Sequence, residues 1–238
     1  MHKTDFYDLY VPVEENTEEV ARTAGRMGFS GIGITHTYEG KEGLNTYLEK
    51  MDEVDEKVEI DIIRSCALSP DNPKTLKRQL GKVRQKVEVV IVEGGDFDIN
   101  RATTEESRVD ILAHPEYKRK DPGMDHKTSK MAAENDVSVG LVFHNLHQTY
   151  GKVRSHVLRH MKRCMQLCEK YDTKLILLSG ARDRYGLRDP RELASLGKIL
   201  GRESSEVLQS VSSIPKKIVE TNRKKLMGEI KGGGVEEL

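Results

Sequence analysis

The chain of 238 residues has no tryptophan, four phenylalanines and eight tyrosines, so aromatics make up only 5% of it. That scarcity argues against a surface that grips single-stranded nucleic acid by stacking, which needs several flat rings in succession. No run of 18 or more apolar residues occurs, which argues against a transmembrane helix. The first residues, MHKTDFYDLY, lack the basic-then-apolar order of a secretory leader. The expectation is a cytoplasmic protein without membrane contact. Cysteine is scarce as well: Cys66, Cys164 and Cys168 are odd in number and spaced unlike a disulfide framework. No GxGxxG loop follows the first apolar segment, so the usual fingerprint of a dinucleotide-binding sheet is missing.

Net charge is also absent, with 39 basic residues balancing 39 acidic ones, yet charged residues reach 33% and are unevenly spread. Residues 1–120 carry a net −6 and residues 121–238 a net +6. Between Tyr150 and Arg191 there are 11 basic residues against 4 acidic, a density that favours a polyanion such as nucleic acid. Within that stretch LILLSGARDRYGLRDPRELASLG is the most informative segment. Leu175 to Leu178 reads as a strand buried on both faces. Asp189 followed by Pro190 supplies an N-cap and a first-turn proline, so a helix starts there. Arg182, Arg184 and Arg188 therefore fall on a strand-to-helix loop, where α/β proteins commonly put ligand-binding groups. Solvated surface charge is the plainer alternative.

The whole chain alternates strand and helix. Asp5–Val11, Gly31–Thr35, Val58–Leu68, Val87–Val92, Val109–Ala113, Val137–Phe143 and Leu175–Leu178 read as strands. Helices are expected near Thr17–Met27, Glu42–Glu53, Pro73–Arg84, Ile99–Glu106, Lys127–Asn135 and Lys152–Tyr171, and after Arg191 in pieces broken near Gly201 and Pro215. Val153, Val157, Met161, Cys164 and Cys168 share a face of the longest helix and are expected to be buried. His160 stands in the same region, but no fourth ligand is visible for a zinc site with the two cysteines. The pattern predicts an α/β protein, a TIM-like (β/α) barrel, irregular, with about seven strands, formed by one domain over residues 1–228 and followed by a disordered tail at 229–238.

In such a barrel, functional groups gather at the C-terminal strand ends. Those ends carry His36 in ITHTYEG, Glu93, Asp96 and Asp98 in VEGGDFD, His114 and Glu116 in ILAHPE, and His144 and His147 in LVFHNLHQ. Imidazoles and carboxylates converging on one mouth are what a metal-dependent phosphoesterase needs, so a free-standing hydrolase is one reading of these residues.

ITHTYEG and ILAHPE resemble strand-end motifs of the polymerase-and-histidinol-phosphatase superfamily of phosphoesterases. That superfamily opens with Asp-x-His-x-His on its first strand, where this chain has DLYVP with Tyr10 and Pro12. Its last metal-binding strand ends in an aspartate and a histidine, where this chain has SGARD with Gly180 and Ala181. A fuller resemblance runs to about Met227. The order FYDLYVP, GFSGIGIT, DILAHPE, VGLVFHNL, LILLSGARDRYGLRDPRELASLGKILG and VSSIPKKIVETNRKK resembles the archaeal ribonuclease P protein component 3 family.

The resemblance implies a phosphoesterase-like barrel that is not itself the catalyst. It implies a protein subunit of ribonuclease P, in which the RNA subunit, using Mg²⁺, removes the 5′ leader of precursor tRNA. No catalytic residue, metal ligand or bound cofactor is then expected in this chain. Arg182, Arg184 and Arg188 become contacts to RNA or to a partner protein. Lys152, Arg154, Arg159, Lys162 and Arg163 extend the positive surface, and Lys216 and Lys217 belong to a further basic cluster. The implied partners are ribonuclease P RNA, ribonuclease P protein component 2, other proteins of the complex and precursor tRNA. The shortage of aromatics favours contact with structured RNA through its backbone and shape.

Overall fold

The computed structural model describes residues 4–231 and 235–236. Parallel strands alternate with helices: β1 (Tyr7–Val11), α1 (Thr17–Arg26), β2 (Gly31–Thr37), α2 (Lys41–Asp55), β3 (Asp61–Leu68), α3 (Pro73–Val83), β4 (Val89–Glu93), α4 (Phe97–Thr104), β5 (Ile111–Ala113), α5 (His126–Glu134), β6 (Ser138–Val142), α6 (Phe143–His147), α7 (Gly151–Tyr171) and β7 (Leu175–Leu178). Then come α8 (Pro190–Ile199), α9 (Ser204–Gln209) and α10 (Ser213–Met227). Each strand pairs in parallel with the next, giving a seven-stranded sheet in the order β1 to β7.

The sheet curls until β1 meets β7, and the seam between them is closed by isolated hydrogen bonds. At its C-terminal end the Gly180 N–H donates to the Tyr10 carbonyl at 3.1 Å. In its middle the buried Asp8 carboxylate accepts the Ser179 N–H at 3.3 Å and the Tyr10 N–H at 3.3 Å. At the other end the turn at Ser210 and Val211 accepts the N–H groups of Leu177 (3.2 Å) and Tyr7 (2.9 Å), standing where an eighth strand would pair. The result is an irregular, nearly closed TIM-like barrel.

Strand alternation sorts the apolar residues into two layers. Leu9, Ile63, Val89, Ile91, Ile111, Ile176 and Leu178 fill the lumen, and Val90, Val92, Leu112, Leu175 and Leu177 pack outward against the helices. Helix α10 closes the lumen from the N-terminal ends of the strands, adding Ile214, Ile218 and Val219 to the inner cluster. Its polar face is locked to the strand starts: Arg223 pairs with Asp61 (2.7 Å) and with Glu88, and Asn222 donates to Asp110 (2.8 Å) and to the Glu88 carbonyl (2.9 Å). Gly33 lets β2 approach β1 closely, because a Cβ there would stand 2.5 Å from the Leu9 carbonyl oxygen.

The expected strands are all present, within a few residues of their ends. Phe143, expected to finish a strand, instead opens the short α6. The break before the last helix falls at Ser210–Ser212, and Pro215 sits inside the first turn of α10, where its missing N–H is not needed. Asp189 caps α8 as expected, accepting the Arg191 N–H at 2.8 Å. Of the apolar line on α7, Met161, Cys164 and Cys168 are buried, but Val153 is 58% exposed. Ile230–Lys231 pairs antiparallel with Val235–Glu236 as two-residue strands, β8 and β9. Residues 232–234 and 237–238 of the tail expected to be disordered lie outside the described residues. Among the described residues no helix is long and apolar enough to cross a membrane.

Candidate functional site

A cleft of about 680 Å³ opens at the C-terminal end of the barrel, over the seam. Because β1 and β7 are neighbours there, the loops that follow them face each other. Glu14, Glu15 and Glu19 come from the β1–α1 side, and Arg182 and Arg184 from the β7–α8 loop. Arg184 pairs with Glu19 and reaches the Tyr185 hydroxyl, 4.6 Å over whose ring its guanidinium lies. Arg188 donates to the carbonyls of Tyr185 (3.0 Å) and Leu187 (2.6 Å) and lies 5.1 Å from the centre of the Phe143 ring. Arg182 is exposed and, among the described residues, makes no hydrogen bond or ion pair. The three arginines are thus brought together, but two are tethered to the fold.

The floor of the cleft holds Tyr10 and Glu93. The Tyr10 hydroxyl donates to one oxygen of Glu93 at 2.8 Å and the Ser69 hydroxyl donates to the other at 2.7 Å. Burial, reinforced by the Glu93 charge, raises the Tyr10 pKa above the usual range, so it remains a neutral donor. His114 lies behind this pair, its ring 6.3 Å from that of Tyr10. Burial lowers its pKa to about 4, so the ring is neutral near pH 7. The Asn145 amide donates to its Nδ1 at 3.1 Å, which puts the proton on Nε2, a buried atom with no partner among the described residues. Burial also lowers the pKa of His144, where Arg182 adds to the effect, and that of His36.

These side chains do not fit a metal cluster. Glu93 already has a hydroxyl donor on each oxygen, and the seam strands contribute Tyr10, Pro12, Gly180 and Ala181. Among the described residues no three His, Cys, Asp or Glu side chains converge as ligands would. The other strand-end carboxylates have structural tasks or other surroundings. Asp96 caps α4, accepting the N–H groups of Asp98 (2.9 Å) and Ile99 (3.0 Å), and Glu116 lines a separate cavity beside α7.

The remaining basic residues divide between α7, packed on the outside of the sheet, and α10. Lys152, Arg159, Lys162 and Arg163 are exposed along α7. Among the described residues Lys152, Lys162 and Arg163 make no ion pair. Arg154 is half-buried, donating to the Thr149 carbonyl at 2.6 Å with its guanidinium 5.2 Å over the Tyr150 ring. Lys216 and Lys217 lie on α10 at the N-terminal end of the barrel, and Lys216 is held by Asp5 at 2.6 Å. Sequence reasoning missed the acidic wall of Glu14, Glu15 and Glu19. Only closure of the seam brings it against the arginine loop.

A family model for RNase P subunit p30 matches residues 5–226. The chain belongs to that family. Among p30-family relatives, ribonuclease P protein component 3 of Methanococcoides burtonii is 38% identical over 227 residues, 94% of this chain and 90% of that protein. A chain in the cryo-electron-microscopy structure of archaeal ribonuclease P with mature tRNA superposes at a TM-score of 0.82 and 24% identity, covering 98% of this chain and 97% of its own length. Histidinol phosphate phosphatase of Lactococcus lactis, solved with zinc, L-histidinol and phosphate, reaches a TM-score of 0.55 at 11% identity over 84% of this chain and 95% of its own. At those identities both structures speak for the barrel alone.

Proposed function

We propose that this p30-family chain serves ribonuclease P as a non-catalytic protein subunit. In this reading it binds the RNA that removes the 5′ leader of precursor tRNA and docks with protein component 2 in the cytoplasm. The observation that carries the reading is the pairing of unengaged cations with an occupied mouth. Lys152, Lys162, Arg163 and Arg182 have no ion partner among the described residues, while Glu93, the carboxylate best placed for chemistry, is taken up by Tyr10 and Ser69. Cations held on a rigid helix neutralise phosphates and release counterions, which gives salt-dependent affinity without sequence choice. The chain itself then needs no cofactor, and Mg²⁺ serves the RNA.

Cleavage of precursor tRNA at moderate Mg²⁺ tests this. The cognate RNA is assayed with and without this chain and component 2, beside the chain alone. Activity that requires the RNA and rises when both proteins are added supports the subunit reading. Hydrolysis of phosphoesters by the chain alone, abolished by a chelator, overturns it.

A further inference from the structure

Helix α7 carries Lys152, Arg154, Arg159, Lys162, Arg163 and Lys170 against a single acid, Glu169. At about 100° of turn per residue, Lys152, Arg159, Arg163 and Lys170, at positions i, i+7, i+11 and i+18, fall within about 20° of one line along the helix. That line runs ~27 Å at ~1.5 Å per residue and lies opposite the face that buries Met161, Cys164, Met165 and Cys168. All four cations are exposed, and among the described residues none makes an ion pair. Elsewhere the chain neutralises helix cations locally. Helices α1, α4, α5 and α10 each set a glutamate one turn from a Lys or Arg, as in Arg22 with Glu18 and Arg101 with Glu105. On α7, Arg159 and Arg163 stand one turn apart instead, a like-charge spacing that costs stability until an anion relieves it.

The geometry points to this row as the docking surface for a double-helical segment of the RNA, met along its phosphates. This rests on the RNA-binding reading above and adds the kind of RNA that is bound. A duplex holds its phosphates in a fixed array, so a straight row of cations on a rigid helix meets it at little ordering cost. A single strand would have to be straightened along the row, and the sites that bind single strands stack the bases on aromatic rings. The row has no ring to offer. Tyr150, just before it, is covered by the Arg154 guanidinium at 5.2 Å, and Tyr171, just after it, is bonded to His126 at 2.9 Å. Beside the row stand Ser155, His156 and Gln166, exposed polar groups of the kind that reach 2′-hydroxyls. A partner protein would need acids at matching intervals over the same ~27 Å, whereas duplex RNA carries that regular charge by construction. Helix α3 is the competing surface, since Lys74, Lys77, Arg78 and Lys82 are also exposed and free of ion pairs among the described residues. Those four fan over about 140° within ~12 Å, so they form a patch and not a line.

The complex reconstituted from ribonuclease P RNA, this chain and the partner proteins carries the test. Gln166→Cys, beside the row, provides a tether for an iron chelate, because the three native thiols are buried. Hydroxyl radicals released there are expected to cut both strands of one paired segment. Cuts confined to unpaired nucleotides, or no cuts, overturn the duplex assignment. Independently, Lys152→Gln, Arg159→Gln and Arg163→Gln combined should keep thermal stability and lower the slope of log RNA affinity against log salt by about 2–3, three phosphates' share. The same exchange at Lys74, Lys77 and Arg78 should lower it by less than about 1. The reverse ranking gives the RNA to α3 and refutes the proposal. Weaker capture of a partner protein by the α7 variant, with the salt slope kept, makes the row a protein contact. If adding the wild-type chain to the partner proteins changes neither RNA affinity nor salt slope, the RNA-binding reading itself fails.

Discussion

Asp8 sits fully buried at the middle of the β1–β7 seam, and replacing it by asparagine tests how that seam is built. Burial outweighs the N–H groups of Ser179 and Tyr10 and raises its pKa from 3.8 to about 6. An acid whose folded pKa is raised binds its proton more tightly in the folded state. It therefore contributes stability below pH 3.8, and that contribution is lost as pH climbs through 6. The whole interval is worth ~3 kcal/mol at ~1.36 kcal/mol per pH unit. Between pH 7 and pH 5 the two-state linkage expression gives ~1.3 kcal/mol. The wild-type profile alone does not isolate this. Glu116, raised to about 7, acts in the same sense, and His114, lowered to about 4, acts in the opposite one. Subtracting Asp8→Asn from wild type cancels both. Urea unfolding followed by circular dichroism at the two pH values should show the wild type gaining ~1.3 kcal/mol more than the variant on acidification. A difference that stays constant within about 0.3 kcal/mol, the tolerance of additivity, refutes the buried-seam account. A change of opposite sign means that hydrogen bonding to Asp8 outweighs its burial.

The tethering of the arginine loop separates its members. Arg182→Ala should leave thermal stability unchanged and reduce the slope of log affinity for ribonuclease P RNA against log salt by about 0.7–0.9, one phosphate's share, whereas Arg188→Ala should lower stability by about 1–2 kcal/mol through its lost carbonyl bonds. Filter binding across a KCl series and thermal denaturation separate the two. Gly33→Ala puts a methyl 2.5 Å from the Leu9 carbonyl oxygen and should destabilise by about 3 kcal/mol or more in thermal unfolding. The three thiols are buried, with Cys66 and Cys168 pushed up to about 12 and Cys164 also raised. A disulfide reagent at pH 8 should label none of them in the folded chain and all of them in guanidinium.

The seven strands were legible because each is a short apolar run bounded by turn residues, and the start of α8 because Asp189 and Pro190 mark it locally. The position of the arginine loop at the barrel mouth followed from those two facts. Its state did not, since Arg184 meets Glu19 across 165 residues of chain. The same distance problem hid the tie between Tyr10 and Glu93, 83 residues apart, which turns a would-be ligand into a satisfied acceptor. Lys216 and Lys217 joined the basic inventory by composition, and the fold separates them from α7 because α10 seals the N-terminal end of the barrel, whereas α7 packs outside the sheet. Glu116 read as a mouth residue from its strand-end position. The turn after His114, a residue with φ of +40°, carries it to the side of α7 instead.

Helix α10 also sets a condition on synthesis. Its apolar face completes the lumen that β1 begins, yet roughly 200 residues separate the two, about 10–40 s of translation at about 5–20 residues per second. From its own synthesis until α10 folds, each of Leu9, Ile63, Val89 and Ile91 has no floor beneath it, and Asp61 and Glu88 lack the Arg223 guanidinium. A nascent chain stalled before Ser213 therefore displays an open apolar barrel to chaperones and proteases. Closure of the last helix acts as a test of completeness that an interrupted chain fails before any RNA is offered to it.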